Sequence, residues 1–368
     1  MDFYDQVDTP SLLINLERAE KNILEMQKRA KELGVNLRPH TKTHKMPYFA
    51  DLQMKAGACG IAVAKIGEAE VMAEHGIKDI LIANEVVGLT KYRRLLKLHE
   101  SITIRSGVDN EVQVDQIETV FAQCERPYEV LIELEVGENR SGVITDEQLV
   151  GLVEYIKTKK HVKLKGIFSH EGHSYKAPDM ETCKKMAEES YRRTLRAAEL
   201  IRECGVDIDM ISIGATPSIM NHAFVEGITE LRLGTYVFMD MGQSKAIGDY
   251  SRCAATVLAT VISKPTDTRV VLDAGAKALV PQNRSEGICA TGGYGCVKGD
   301  ETVVIGNLFD EHGLIENREF HDRISVGDKV EIIPSHICPT VNLYDEAVLV
   351  SESGVLGTVP VLCRGKTR

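Results

Sequence analysis

Tryptophan is absent from the 368 residues, and aromatic side chains together make up 5%. A base-stacking platform or an aromatic sugar-binding cleft would need more of them. Basic excess is missing too: 44 Lys and Arg stand against 54 Asp and Glu, leaving a formal charge of −10. A nucleic-acid partner is therefore not expected, since its footprint would be positive and clustered. No apolar run approaches the roughly 18 residues of a membrane span, and the N-terminus lacks the basic-then-apolar pattern of a secretory leader. None of the nine cysteines forms a CxxC pair, so neither a disulfide framework nor a closed zinc finger is expected. These absences predict a cytoplasmic protein with no membrane partner. What is present is ordinary globular material, 43% hydrophobic and 27% charged, in a length that suggests two domains.

Apolar strand-like runs alternate with helix-periodic stretches from residue 36 to about 240. The runs are 36–42, 60–64, 79–84, 101–107, 129–136, 164–170, 210–215 and 230–236. Strands that alternate with helices make parallel sheets, and eight such units close into a TIM-type (β/α)8 barrel. A doubly wound open sheet is the competing arrangement. After residue 250, short β-rich runs (CAATVLATVIS, TRVVLD, ETVVIG, KVEIIPS, EAVLVS, GVLGTVPVLC) are separated by Gly, Asp, Asn and Pro with no good amphipathic helix. They predict a C-terminal antiparallel β domain. The expected division is an α/β barrel over 10–245, with 1–9 and 246–368 in the β domain. The segment SLLINL (11–16) is expected to lie between the two.

Chemistry in such a barrel sits at the C-terminal ends of its strands. Those ends carry His40, Lys42 and His44; Asn84; Arg105; Asn139 and Arg140; His170, His173 and Tyr175; Thr216; and Gly234-Thr235-Tyr236. The glycine-containing ends of strands seven and eight fall where barrels commonly bind phosphate. Lys42 would face them across the barrel mouth. An amine on one side and a phosphate anchor on the other suit a phosphorylated aldehyde cofactor held as a Schiff base. In the β domain, His336 and Cys338 lie two apart, so on a strand both would face one way, as N and S donors for Zn²⁺. A buried cysteine beside a packed histidine is the competing reading of that pair.

The segments LRPHTKTHK (37–45), ELEVGENRSGV (133–143), GATPS (214–218), TELRLGTYVFMD (229–240) and PSHICPTVNLYD (334–345) resemble those of the fold-type III pyridoxal-phosphate enzymes. The likeness is to their D-threonine aldolase and D-serine dehydratase group, related to alanine racemase, and it runs along essentially the whole chain. It implies pyridoxal 5'-phosphate on Lys42, Arg140 near the cofactor's phenolic oxygen, and Tyr175 at the ring nitrogen. It further implies Thr216, Gly234, Thr235 and Tyr236 around the phosphate, and His170 and His173 as candidate bases. His336 and Cys338 would bind a divalent metal, zinc first, with manganese and magnesium as alternatives. The implied partners are a small D-amino acid substrate and a second copy of the chain in a homodimer. Cys338 stands where aldolases of the group usually carry Asp, which tips the expected reaction toward D-serine dehydratase-type β-elimination. D-threonine aldolase-type cleavage to glycine and an aldehyde is the close alternative. An amino-acid racemase, using Tyr294 or Tyr344 of the partner as second base, is the more distant one, and a cofactor carrier would lack the β domain.

Overall fold

Short Ile-, Val- and Leu-rich runs become strands because each has neighbours to bury against on both faces. In the computed structural model, which describes residues 3–368, the first strand is β1 (Ser11–Asn15). Strand and helix then alternate through β2 (Asn36–Leu37), β3 (Ile61–Val63), β4 (Asp79–Glu85), β5 (Thr103–Val108), β6 (Tyr128–Leu134), β7 (Val162–Ser169), β8 (Met210–Ile213) and β9 (Glu230–Leu231). The strands β2 to β9 pair in parallel in the order β2-β9-β8-β7-β6-β5-β4-β3. A parallel bridge from His40 to Ala62 joins the segment after β2 to β3 and closes the ring. The fold is therefore a TIM-type barrel rather than an open sheet.

The surrounding helices follow the apolar periodicity. In the longest, Met180–Glu203, Asp179 caps the start by accepting from the Thr182 N–H, and Cys183, Ala187, Tyr191, Thr194, Ala198 and Ile201 are buried. Their three- and four-residue spacing lays one stripe against the barrel. Inside the barrel the lower layer is charged. The Arg38 guanidinium bonds Glu230 at 2.8 Å and also pairs with Asp79, while Arg105 bridges Asp79 (2.9 Å) and Glu129 (2.7 Å). Each buried charge thus has a hydrogen-bonded counter-charge, the condition under which such groups are tolerated. Above it sits an apolar layer of Leu81, Leu131 and Phe168.

The second sheet contains β10 (Ala255–Ser263), β11 (Arg269–Leu272), β12 (Gly295–Val297), β13 (Asp300–Val304), β14 (Asn307–Leu308), β15 (Gly313–Glu316), β16 (Lys329–Pro334), β17 (Glu346–Ser351) and β18 (Gly354–Pro360). Its spine runs β13-β12-β16-β10-β1-β17-β18. All pairings are antiparallel except β1 with β17. The segment expected between the domains is thus a full member of this sheet, although it falls inside the 10–245 span. The β domain also carries two short helices, Arg318–Arg323 and Ile337–Val341. No helix among the described residues is long and apolar enough to cross a membrane.

Candidate active site

Between the barrel mouth and the β domain lies a cavity of about 650 Å³, within the range of small-molecule and cofactor sites. Lys42 enters it from a one-turn helix, Thr41–Thr43, just after β2. Burial lowers the pKa of its amine, and the neighbouring Cys338 opposes that shift. Burial that favours the neutral amine makes a lysine a better nucleophile toward an aldehyde.

Lys42 does not face the glycine-bearing strand ends across the barrel mouth: β9 pairs with β2 and β8 with β9, so Gly214, Thr216, Gly234 and Thr235 reach the cavity wall beside it. A Cβ on Gly234 would lie 2.9 Å from the His40 carbonyl oxygen, and one on Gly214 2.9 Å from the Arg232 nitrogen. These glycines let the loops pack closely enough to present backbone to a ligand. Arg140 lines the cavity and reaches Glu133 at 3.3 Å. Tyr175 lies under the Arg284 guanidinium, 4.8 Å from its ring, and burial holds its phenol neutral.

His170 Nδ1 donates to the Gly214 carbonyl at 2.7 Å. A carbonyl can only accept, so Nδ1 carries the proton and Nε2, 3.8 Å from Glu138 Oε2, is left as an acceptor. Burial and then Lys42 push its pKa well below the usual value, and the ring is neutral.

Two of the expected residues are not brought to this cavity. His173 turns away, with Nε2 at 3.5 Å from Ser190 Oγ and its ring packed over Gly137. The Tyr236 hydroxyl accepts from Gln53 Nε2 at 3.0 Å, and its side chain faces a second, smaller hollow.

The β domain contributes His336 and Cys338 to the same cavity of the same chain. They do not lie on a strand, however. His336 is the N-cap of helix Ile337–Val341 and Cys338 is in its first turn. The thiol sits 3.3 Å from Thr43 Oγ1 and 3.9 Å from Thr235 Oγ1. His336 Nδ1 faces Gln282 Oε1 at 3.0 Å, and burial lowers the imidazole to about 4. No cluster of three or more His, Cys, Asp or Glu capable of holding a metal occurs among the described residues. His336 and Cys338 alone could offer a metal one imidazole nitrogen and one sulfur, a set that would leave coordination positions for water or a substrate oxygen.

Sequence reasoning missed several groups. Arg232 is buried, bonded to Ser212 Oγ and the Ser169 carbonyl (2.8 Å each), and lies over Phe168. Its signal was available: an arginine between Leu231 and Leu233, one residue past the end of β9 and so at the barrel mouth. Arg284, Glu138 and Gln243 also line the cavity, each with a buried polar atom that has no hydrogen-bond partner. Such atoms are rare inside proteins and mark where a bound group would complete the bonding. With the glycine-walled pocket beside a lysine whose burial favours the neutral amine, they fit a phosphorylated pyridoxal.

Fold and cavity together define an enzyme of the fold-type III pyridoxal-phosphate class. The family "Alanine racemase, N-terminal domain" matches residues 14–242, and "Putative serine dehydratase domain" matches residues 254–350. The chain belongs to the alanine racemase N-terminal domain family. It is 33% identical to a D-threonine aldolase of Arthrobacter sp, over 99% of this chain and 94% of that protein. It is 31% identical to the D-threo-3-hydroxyaspartate dehydratase of Delftia sp. (strain HT23), over 91% and 92%. The solved structure of that dehydratase superposes with a TM-score of 0.89, covering 98% of this chain and 99% of the other at 28% identity. A D-serine dehydratase of Dictyostelium discoideum is 27% identical over 94% of each chain.

Proposed function

We propose that the protein is a pyridoxal-phosphate-dependent, divalent-metal-assisted lyase of D-β-hydroxy-α-amino acids. Its reaction is β-elimination of the D-serine dehydratase type, yielding a 2-oxo acid and ammonia, and the working unit is a homodimer. The observation that carries this reading is the opening of Lys42, His336 and Cys338 onto one cavity of one chain.

Pyridoxal phosphate, held on Lys42, would supply an electron sink for charge developing at Cα. Lys42 Nζ would serve as the base for the Cα proton. Tyr175, a neutral phenol, would donate to the ring nitrogen, and Arg140 would hold the phenolic oxygen. The backbone of Gly214–Thr216 and Gly234–Thr235 would hold the phosphate. His336 and Cys338 would hold the metal, whose contribution is Lewis acidity at the departing β-hydroxyl. A thiolate ligand favours zinc over manganese or magnesium. A cysteine-to-alanine variant of a D-threo-3-hydroxyaspartate dehydratase, 28% identical to this chain, has been solved in a metal-free form.

Retro-aldol cleavage is the second reading, favoured by the free acceptor at His170 Nε2, which could take the β-hydroxyl proton. Incubation of the holoenzyme with D-serine and with D-threonine, followed by assays of 2-oxo acids, glycine and acetaldehyde, separates the two. Pyruvate and 2-oxobutyrate, lost on chelation and restored by zinc, are expected. Glycine with acetaldehyde as the main products would replace elimination by cleavage.

A further inference from the structure

His336 is pinned more firmly than a packed histidine requires. Thr340 Oγ1 donates to its carbonyl at 2.8 Å, and Asp240 Oδ2 accepts from the next residue's N–H at 3.1 Å. Its ring is then oriented from a different segment, because Nδ1 meets Gln282 Oε1 at 3.0 Å. Gln282 is held in turn, since the Ser335 hydroxyl donates to its carbonyl at 2.6 Å. The adjacent residues Ser335 and His336 therefore grip Gln282 by main chain and side chain together. Seven residues on, the same loop docks on the barrel, where the Cys289 N–H donates to the Tyr175 carbonyl and the Ile288 N–H to that of Ala177 at 2.8 Å. Gln282 is thus anchored at both ends of its loop.

An imidazole can offer a lone pair at only one nitrogen when neutral, and the partner of the other nitrogen decides which. An amide oxygen at Nδ1 requires the proton there and leaves Nε2 as the donor. We infer that Gln282 is a positioning residue for the metal, fixing the tautomer and ring plane of His336 so that Nε2 faces the ion. The inference rests on the metal reading above. Residues in this outer position typically change metal affinity about 10- to 100-fold.

The test is a zinc titration of the pyridoxal-phosphate-loaded enzyme against a competing chromogenic chelator, with the visible spectrum of the Co²⁺-substituted form as second readout. Gln282→Leu should weaken zinc binding about 10- to 100-fold and alter the Co²⁺ bands while cofactor absorbance stays unchanged. Gln282→Glu keeps an acceptor facing Nδ1 and should restore wild-type affinity or better. Affinity of the leucine variant within twofold of wild type, tighter binding by it, or no rescue by glutamate would overturn the assignment. Cys338→Ala separates the two layers of the argument. If it leaves zinc binding untouched, or if the wild type binds no zinc, the metal reading itself fails; if it abolishes binding while Gln282→Leu does not weaken it, only the role of Gln282 fails.

Discussion

A single lysine carries the cofactor assignment. Lys42→Ala should remove the protein-bound yellow absorbance and, with it, turnover; a yellow colour in that variant that borohydride bleaches while fixing the cofactor to the chain would place the linkage elsewhere. The cavity position of Lys42 was legible because a basic side chain at a barrel strand end has few structural uses. His173 and Tyr236 were misplaced for a common reason. Each follows a strand end by a residue or more, where a turn of 3-10 helix sends neighbouring side chains in different directions and strand alternation no longer applies. Glu138 escaped notice because it stands in a glycine-flanked loop, and its approach to the cavity depends on Gly172. A Cβ there would lie within 2 Å of its Oε2, a relation between two segments that neither reveals alone.

At the scale of elements, the eight barrel strands lie close to where their apolar runs predicted. Burial on both faces leaves a continuous hydrophobic signature. The β domain was less legible. Strands β12, β14 and β15 span three, two and four residues, too short for alternation to register. The segment around His336 reads as strand from its Ile and Val content, yet turns helical once β16 ends. Strand contact also sets a tolerance that can be measured. A Cβ at Gly166 would meet the Met210 carbonyl oxygen, at 2.1 Å, across the β7–β8 pairing. Gly166→Ala should therefore cost about 1–3 kcal/mol in denaturant unfolding, while cofactor binding measured below the transition is retained.

For the molecule as a whole, buried histidines predict a loss of stability in acid. His44 is buried against Gln53, and burial lowers its pKa from 6.5 to about 4. The unfolded chain takes up that proton as pH falls through about 6.5, and the folded one does not until about 4. The unfolded state therefore binds more protons in this window. The stabilisation from keeping the ring neutral is complete above about 6.5 and is lost as pH falls toward 4. His40 and His170, lowered well below the usual range by burial, act in the same direction. The melting temperature should be level above pH 7 and fall steadily toward pH 5. His44→Gln should show a shallower fall, and an unchanged slope would remove His44 from the account.

The place of β1 has a consequence for how the protein is made. This strand leaves the ribosome early, yet its two sheet partners are β10 and β17, on the far side of the entire barrel. At ordinary elongation rates of about 5–20 residues per second, it waits on the order of tens of seconds before the sheet can form. During that interval Leu12, Leu13 and Ile14, all buried in the finished fold, have no sheet to join. The barrel can mature as synthesis proceeds, whereas the β domain is completed only when both ends of the chain meet. Chaperone demand should accordingly concentrate on the nascent N-terminal strand.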